Sequence, residues 1–113
     1  MTTPSLSSAD RRAAARRARD AFPPMGVYAI RDRVAGRARV GSSRNVHATI
    51  NRIGFELRLR THPDKALQAE WNASPDRYSF EVLALVKERD DPAFDYAEEL
   101  RTLEALYREE EQA

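Results

Sequence analysis

A chain of 113 residues and 12.9 kDa has room for one domain of about 100 residues and a short tail, and excludes two independent cores. It has no cysteine, no apolar run near the roughly 20 residues of a membrane helix and no basic-then-apolar start in MTTPSLSSAD, so a soluble, cytoplasmic protein without membrane contact is expected and thiolate chemistry is excluded. The net charge of +1 conceals a split: residues 1–62 hold 13 Lys or Arg against 4 Asp or Glu, a balance of +9, and residues 63–113 hold 6 against 14, a balance of −8.

Residues 1–7 are expected to be unstructured. The run ADRRAAARRARDA, Ala9 to Ala21, predicts a helix that Ser8 caps, with Arg12, Arg16 and Arg19 at helical spacing. Phe22 is its only bulky apolar neighbour, so it should dock loosely and end at Pro23 and Pro24. Its arginines suit either phosphate or plain solvent. MGVYAI and RDRVAGRARVG then read as the two strands of a hairpin turning at Gly36.

From Asn45 the period changes. Val46, Ile50, Ile53 and Leu57 fall on one stripe of an amphipathic helix, with Ser42 or Ser43 as its cap. Pro63 opens a second short helix, PDKALQAEWN, with Leu67 and Trp71 four apart as core anchors. Tyr78 to Val86, YSFEVLALV, alternates and then becomes wholly apolar, the pattern of a central strand buried on both faces. Asp90, Asp91 and Pro92 end it, and Asp95 with Glu98 forms a capping-box pattern. The last helix carries Tyr96, Leu100, Leu103 and Tyr107 as its apolar stripe and leaves Glu104 at the stripe's edge. The order predicts an α+β fold, a three-stranded mixed or antiparallel sheet flanked by helices over residues 25–113, preceded by a tail and Arg-rich helix over residues 1–24.

In this frame Gly26, Val27 and Tyr28 (GVY), then Arg39, Val40 and Gly41 (RVG) followed by SSRN, resemble the paired strand motifs of the GIY-YIG nuclease superfamily. The segment His-x-x-x-x-Leu-Gln-x-x-Trp-Asn from His62, the strand YSFEVL and the helix segment LEALY at Leu103 to Tyr107 resemble small bacterial members. The resemblance spans about residues 25–110. It implies hydrolysis of DNA phosphodiesters with one Mg²⁺ or Mn²⁺ held by Glu104, a water oriented or deprotonated by Tyr28, and an arginine on the phosphate. Such a reaction needs positive charge on the non-bridging oxygens and an activated water, and a single carboxylate suits an ion that keeps most of its waters. The sequence departs from that pattern at Arg39, Thr49 and Ile53, where the family has tyrosine, arginine and histidine. Arg52, one turn from Thr49, and Arg39 are the replacements the resemblance leaves for binding phosphate.

The catalytic set implied is therefore Tyr28, Arg39, Arg52 and Glu104, with Arg39, Ser42, Ser43, Arg44, Arg52 and Arg58 as the nucleic-acid contacts. Each residue also has an ordinary reading. Tyr28 suits a half-buried strand position, Glu104 an ion pair with Arg101 or Arg108, and Arg44, Arg52, Arg58 and Arg60 a solvated helix side. His47 and His62 have no metal-ligand spacing and suit surface or capping positions. Three functions stay open: a DNA-binding, metal-dependent endonuclease; a catalytically silent module for nucleic acid or a protein partner; and homo-oligomerisation through the basic and acidic halves, which within one fold could instead neutralise each other.

Overall fold

The computed structural model describes residues 7–112, so positions 1–6 of the expected unstructured tail lie outside the described residues. The elements are α1 (Ser8–Asp20), β1 (Gly26–Asp32), β2 (Ala38–Ser43), α2 (Val46–Arg58), α3 (Lys65–Ala73), a 3-10 turn (Pro75–Arg77), β3 (Tyr78–Leu85) and α4 (Tyr96–Gln112). The sheet is antiparallel throughout, in the order β2-β1-β3. None of the described helices is long and apolar enough to cross a membrane.

Strand alternation divides the core between two faces. Val27 and Ala29 of β1 point with Val40 of β2 toward Leu103 and Tyr107 of α4. Ile30 points the other way, into a cluster with Ile53 and Leu57 of α2, Leu67 of α3 and Tyr78, against which Tyr28, Trp71 and Phe80 pack. A smaller cluster joins Met25, Val86 and Leu100, with Phe22 and Tyr96 at its margin. Among the described residues α1 makes no extensive contact with another element; Arg12 and Arg16 are exposed, and the Arg19 side chain lies outside the described set.

The middle strand is β1, and β3 is an edge strand, contrary to the expectation from YSFEVLALV. That run is apolar because its residues serve different clusters. Leu83 faces α4, Val86 lies past the strand end in the Met25 cluster, and Val82 and Leu85 remain 39 % and 55 % exposed.

Helix starts also shift by a residue or two. Ser7, not Ser8, caps α1 by accepting the Asp10 amide at 3.1 Å. Asn45, not Ser42 or Ser43, caps α2 by accepting the Ala48 amide at 3.1 Å, while Ser43 Oγ accepts the Asn45 amide at 3.0 Å. Asp64 caps α3 at the Leu67 amide, 3.1 Å, so the helix opens at Lys65 rather than Pro63. Asp95 caps α4 as expected, but Glu98 turns to Arg101 at 2.6 Å instead of closing a capping box.

The His62 to Asn72 segment is structural. His62 Nδ1 accepts the Asp64 amide at 3.1 Å, and buried Gln68 accepts the His62 amide at 3.0 Å. The Gln68 amide nitrogen donates to the Leu57 carbonyl at 3.0 Å and to Asn72 at 2.9 Å, and Trp71 packs 6.0 Å from Tyr78 and 6.3 Å from Phe80. One side chain thus closes the α2–α3 connection. Gln68→Leu strands the His62 amide and leaves the Leu57 carbonyl to the Arg60 amide at 3.2 Å, and is expected to cost about 1–3 kcal/mol in denaturant unfolding; a variant as stable as the wild type contradicts this role.

The hairpin turn depends on Asp32, which accepts the Val34 and Ala35 amides at 3.0 and 3.1 Å, while Gly36 takes a positive φ of 75°. The Arg77 guanidinium grips Asp32 at 2.9 and 2.6 Å. Other ion pairs also join the basic and acidic halves: Arg31 to Glu81 and Glu111, and Arg39 to Asp64 and Glu70. Much of the charge split is thus answered within one chain. Arg77 foremost, with the two turn amides, holds the Asp32 carboxyl down at about 2 against its ordinary 3.8. A depressed carboxyl contributes stability above its unfolded value, so that contribution should be lost as pH falls from about 4 to about 2. Thermal melts of Asp32→Asn should therefore show a shallower decline over that window than the wild type; parallel declines contradict the assignment.

Candidate active site at the β2 edge

The β1–β2 register sets the site. Tyr28 pairs with Gly41, and its ring lies across that glycine: a Cβ on Gly41 would sit 2.6 Å from the phenol oxygen and 2.7 Å from Cζ. Only glycine leaves room for the ring there. The next residue, Ser42, alternates to the α4 side, where its hydroxyl donates to Glu104 Oε2 at 3.1 Å. The other carboxylate oxygen takes Arg108 Nη2 at 2.8 Å, and Arg108 Nε and Nη2 also donate to the Val40 carbonyl at 3.2 and 3.1 Å. α4 therefore holds Glu104 against β2, an edge strand, with the side chain 22 % exposed.

Tyr28 and Glu104 approach this edge from opposite faces of the sheet, and the phenol feels the charges gathered there. Burial pushes the Tyr28 phenol above its ordinary value of 10.0; Arg52 pulls it down, Glu104 pushes it up and Arg108 pulls it down. The phenol is therefore protonated at neutral pH and acts as a neutral hydrogen-bonding group.

The remaining predicted residues separate into those near this pair and those engaged elsewhere. Arg52 is 68 % exposed and pairs with Glu56 at 3.3 Å along α2. Arg39 lines a recess of about 170 Å³ with Tyr28, Gly41 and His62, but its guanidinium is held by Asp64 at 3.5 Å and Glu70 at 3.4 Å. Glu70 in turn accepts the Tyr78 hydroxyl at 2.6 Å, which with Arg39 keeps its carboxyl below the usual range. Ser43 shares a hydrogen bond of 2.6 Å with Thr49, the position where the family pattern has arginine. Arg44 and Arg58 are exposed and have no ion-pair partner among the described residues. His47 is exposed and His62 serves the loop before α3. Arg108 enters the site unforeseen, since sequence reasoning gave it only the part of an ion-pair partner for Glu104. Its i,i+4 spacing marked that pair, but nothing in the sequence marked the Val40 carbonyl that holds it.

The catalytic domain of the homing endonuclease I-TevI superposes on this chain with a TM-score of 0.63 and 17 % identity, over 78 % of this chain and 88 % of that domain. The chain has the GIY-YIG fold. A glutamate-to-alanine mutant of the catalytic domain of the intron endonuclease I-TevI superposes with a TM-score of 0.62 and 16 % identity, over 78 % of this chain and 84 % of that one. No protein-family model matches the chain, and no curated protein sequence matches it. The fold is thus shared at low sequence identity, and within this GIY-YIG fold the GVY and RVG segments lie on the paired strands β1 and β2.

If the Glu104 carboxylate acts on the Tyr28 phenol across the β2 edge, changing the carboxylate must move the phenol's titration. Glu104→Gln should lower the Tyr28 titration and Arg52→Ala should raise it, read as ultraviolet phenolate difference spectra against Tyr28→Phe in each background. A Tyr28 titration indifferent to both substitutions contradicts the convergence.

Proposed function

We propose that this chain is a DNA-binding, metal-dependent endonuclease of the cytoplasm, hydrolysing phosphodiester bonds at the β2 edge with one Mg²⁺ or Mn²⁺. The observation that carries the reading is that Gly41, over which the Tyr28 ring passes, and Ser42, which holds the Glu104 carboxylate, are consecutive residues of the edge strand β2. The GIY-YIG fold shared with an endonuclease catalytic domain supports it.

Glu104 is the residue that would hold the ion. It offers one hard, partly exposed carboxylate braced by Ser42, and no group of three or more His, Cys, Asp or Glu gathers among the described residues. That donor set fits a cation that keeps most of its waters, and does not fit a closed zinc site. When bound, the ion supplies positive charge to the phosphate and makes water more acidic. Tyr28, protonated, orients a water by hydrogen bonding rather than removing its proton outright. Arg52, one turn along α2 from Thr49, brings a guanidinium to the phosphate, and Ser42, Ser43, Arg44 and Arg58 extend the contact with the DNA backbone. Arg39 cannot replace the missing tyrosine as a base, because a guanidinium stays protonated, and its pairs with Asp64 and Glu70 reduce what it offers to phosphate.

A second reading has its own support. Arg39 is already paired and Glu104 is already bound to Arg108, an arrangement that also suits a silent module which holds nucleic acid or a protein partner without cutting. Supercoiled plasmid separates the two. The endonuclease reading expects nicking or linearisation in Mg²⁺ or Mn²⁺ and none in chelator, with Glu104→Gln abolishing it and Tyr28→Phe slowing it about 10²-fold. Intact plasmid in both metals, with salt-dependent DNA binding retained, leaves the silent module.

A further inference from the structure

Arg108 is fastened on one side and open on the other. Nε and Nη2 are taken by the Val40 carbonyl and the Glu104 carboxylate, whereas Nη1 has no protein partner among the described residues and the side chain is 59 % exposed. A surface arginine normally samples many rotamers. Three contacts to a strand and to a carboxylate of its own helix remove much of that freedom before any ligand arrives, so the open donors are presented at little further entropic cost.

The surroundings say what those donors suit. A groove of about 370 Å³ runs beside β2, lined by Arg37, Arg39, Val40 and Arg108. Its one acidic wall residue, Glu111, is paired with Arg31 at 2.6 Å, and Arg39 with Asp64 and Glu70, which leaves Arg37 and the open edge of Arg108 as the wall's guanidinium donors without a carboxylate of their own among the described residues. A pre-oriented guanidinium in a positively lined groove along an edge strand matches an extended polyanion better than a single small acid.

We infer that Arg108 is a phosphate-binding arginine, donating through Nη1 to a non-bridging oxygen of a DNA backbone laid along the β2 edge. This rests on the reading of that edge as the DNA site, and it goes beyond it: a second guanidinium for the phosphate, besides that of Arg52 on α2, is supplied from α4. The same side chain thus braces Glu104 and binds substrate.

The test is DNA affinity in chelator, where no cleavage occurs, using the full chain and a random-sequence duplex over a salt series. Arg108→Ala should weaken binding about tenfold and reduce the slope of log affinity against log salt by about one. Arg108→Lys should keep the slope while recovering only part of the affinity, because an ammonium cannot grip the Val40 carbonyl and present a planar edge together. Arg108→Ala with wild-type affinity and slope overturns the inference. Should the alanine variant not fold, the lysine variant decides: partial loss at unchanged slope supports the assignment, and full wild-type affinity overturns it. Failure of the endonuclease reading looks different, since Glu104→Gln then cleaves as the wild type does while the Arg108 effect on binding persists. A wild-type chain that does not bind the duplex overturns both.

Discussion

The close passage of the Tyr28 ring over Gly41 is the constraint from which the site is built. Because β1 is the middle strand, a tyrosine on it would ordinarily be confined between its neighbours. Pairing it with a residue that has no Cβ lets the phenol run outward across β2 to the sheet margin. On the reverse face the same two strands seat α4 through Val27, Ala29, Val40, Leu103 and Tyr107, and that packing delivers Glu104 to Ser42. The apolar core and the polar site are therefore set by one register. A slip of one residue would turn Tyr28 to the α4 side and bury Ser42.

The polar groups around this edge are unusually well answered by the protein itself. Glu104 has Ser42 and Arg108, Arg39 has Asp64 and Glu70, and Thr49 has Ser43. Such pairing fixes side chains in place, as catalysis by positioning requires, and under the proposed function each pair would also have to be shared with a phosphate or an ion. The balance differs from pair to pair. Arg108 retains an open edge, whereas Arg39 faces two carboxylates, so under the proposed function phosphate would be met by Arg52 and Arg108 rather than by the arginine of the second strand motif.

How far the sequence was legible follows the range of the forces involved. Helix and strand positions were readable because capping and periodicity are local: Asp95 caps α4 where the pattern placed it, and Ile53 and Leu57 face the core as their spacing required. Strand order was not readable, since the apolar end of β3 suits a covered middle strand and an edge strand feeding separate clusters equally well. Tyr28 and Glu104 were found through resemblance to a family, and their approach to one edge depends on a register no local pattern specifies. The engagement of Arg39 and Arg108 was invisible for a similar reason, because Asp64, Glu70 and the Val40 carbonyl are brought to them only by tertiary packing. The Gln68 network shows the reverse case: a segment that looked like a family signature holds the α2–α3 loop through Gln68, and reaches the site through Asp64 and Glu70, which pair with Arg39.

Under the proposed function, DNA would lie along β2, the middle of α2 and the inner face of α4. Amide chemical-shift mapping during titration with a short DNA duplex in chelator reads that directly. The expected result is a continuous set of perturbed signals through Tyr28, Gly41, Ser42, Arg52, Glu104 and Arg108, with β3 unmoved. Perturbations gathered on β3 or on α1 alone, with the β2 edge silent, would contradict it.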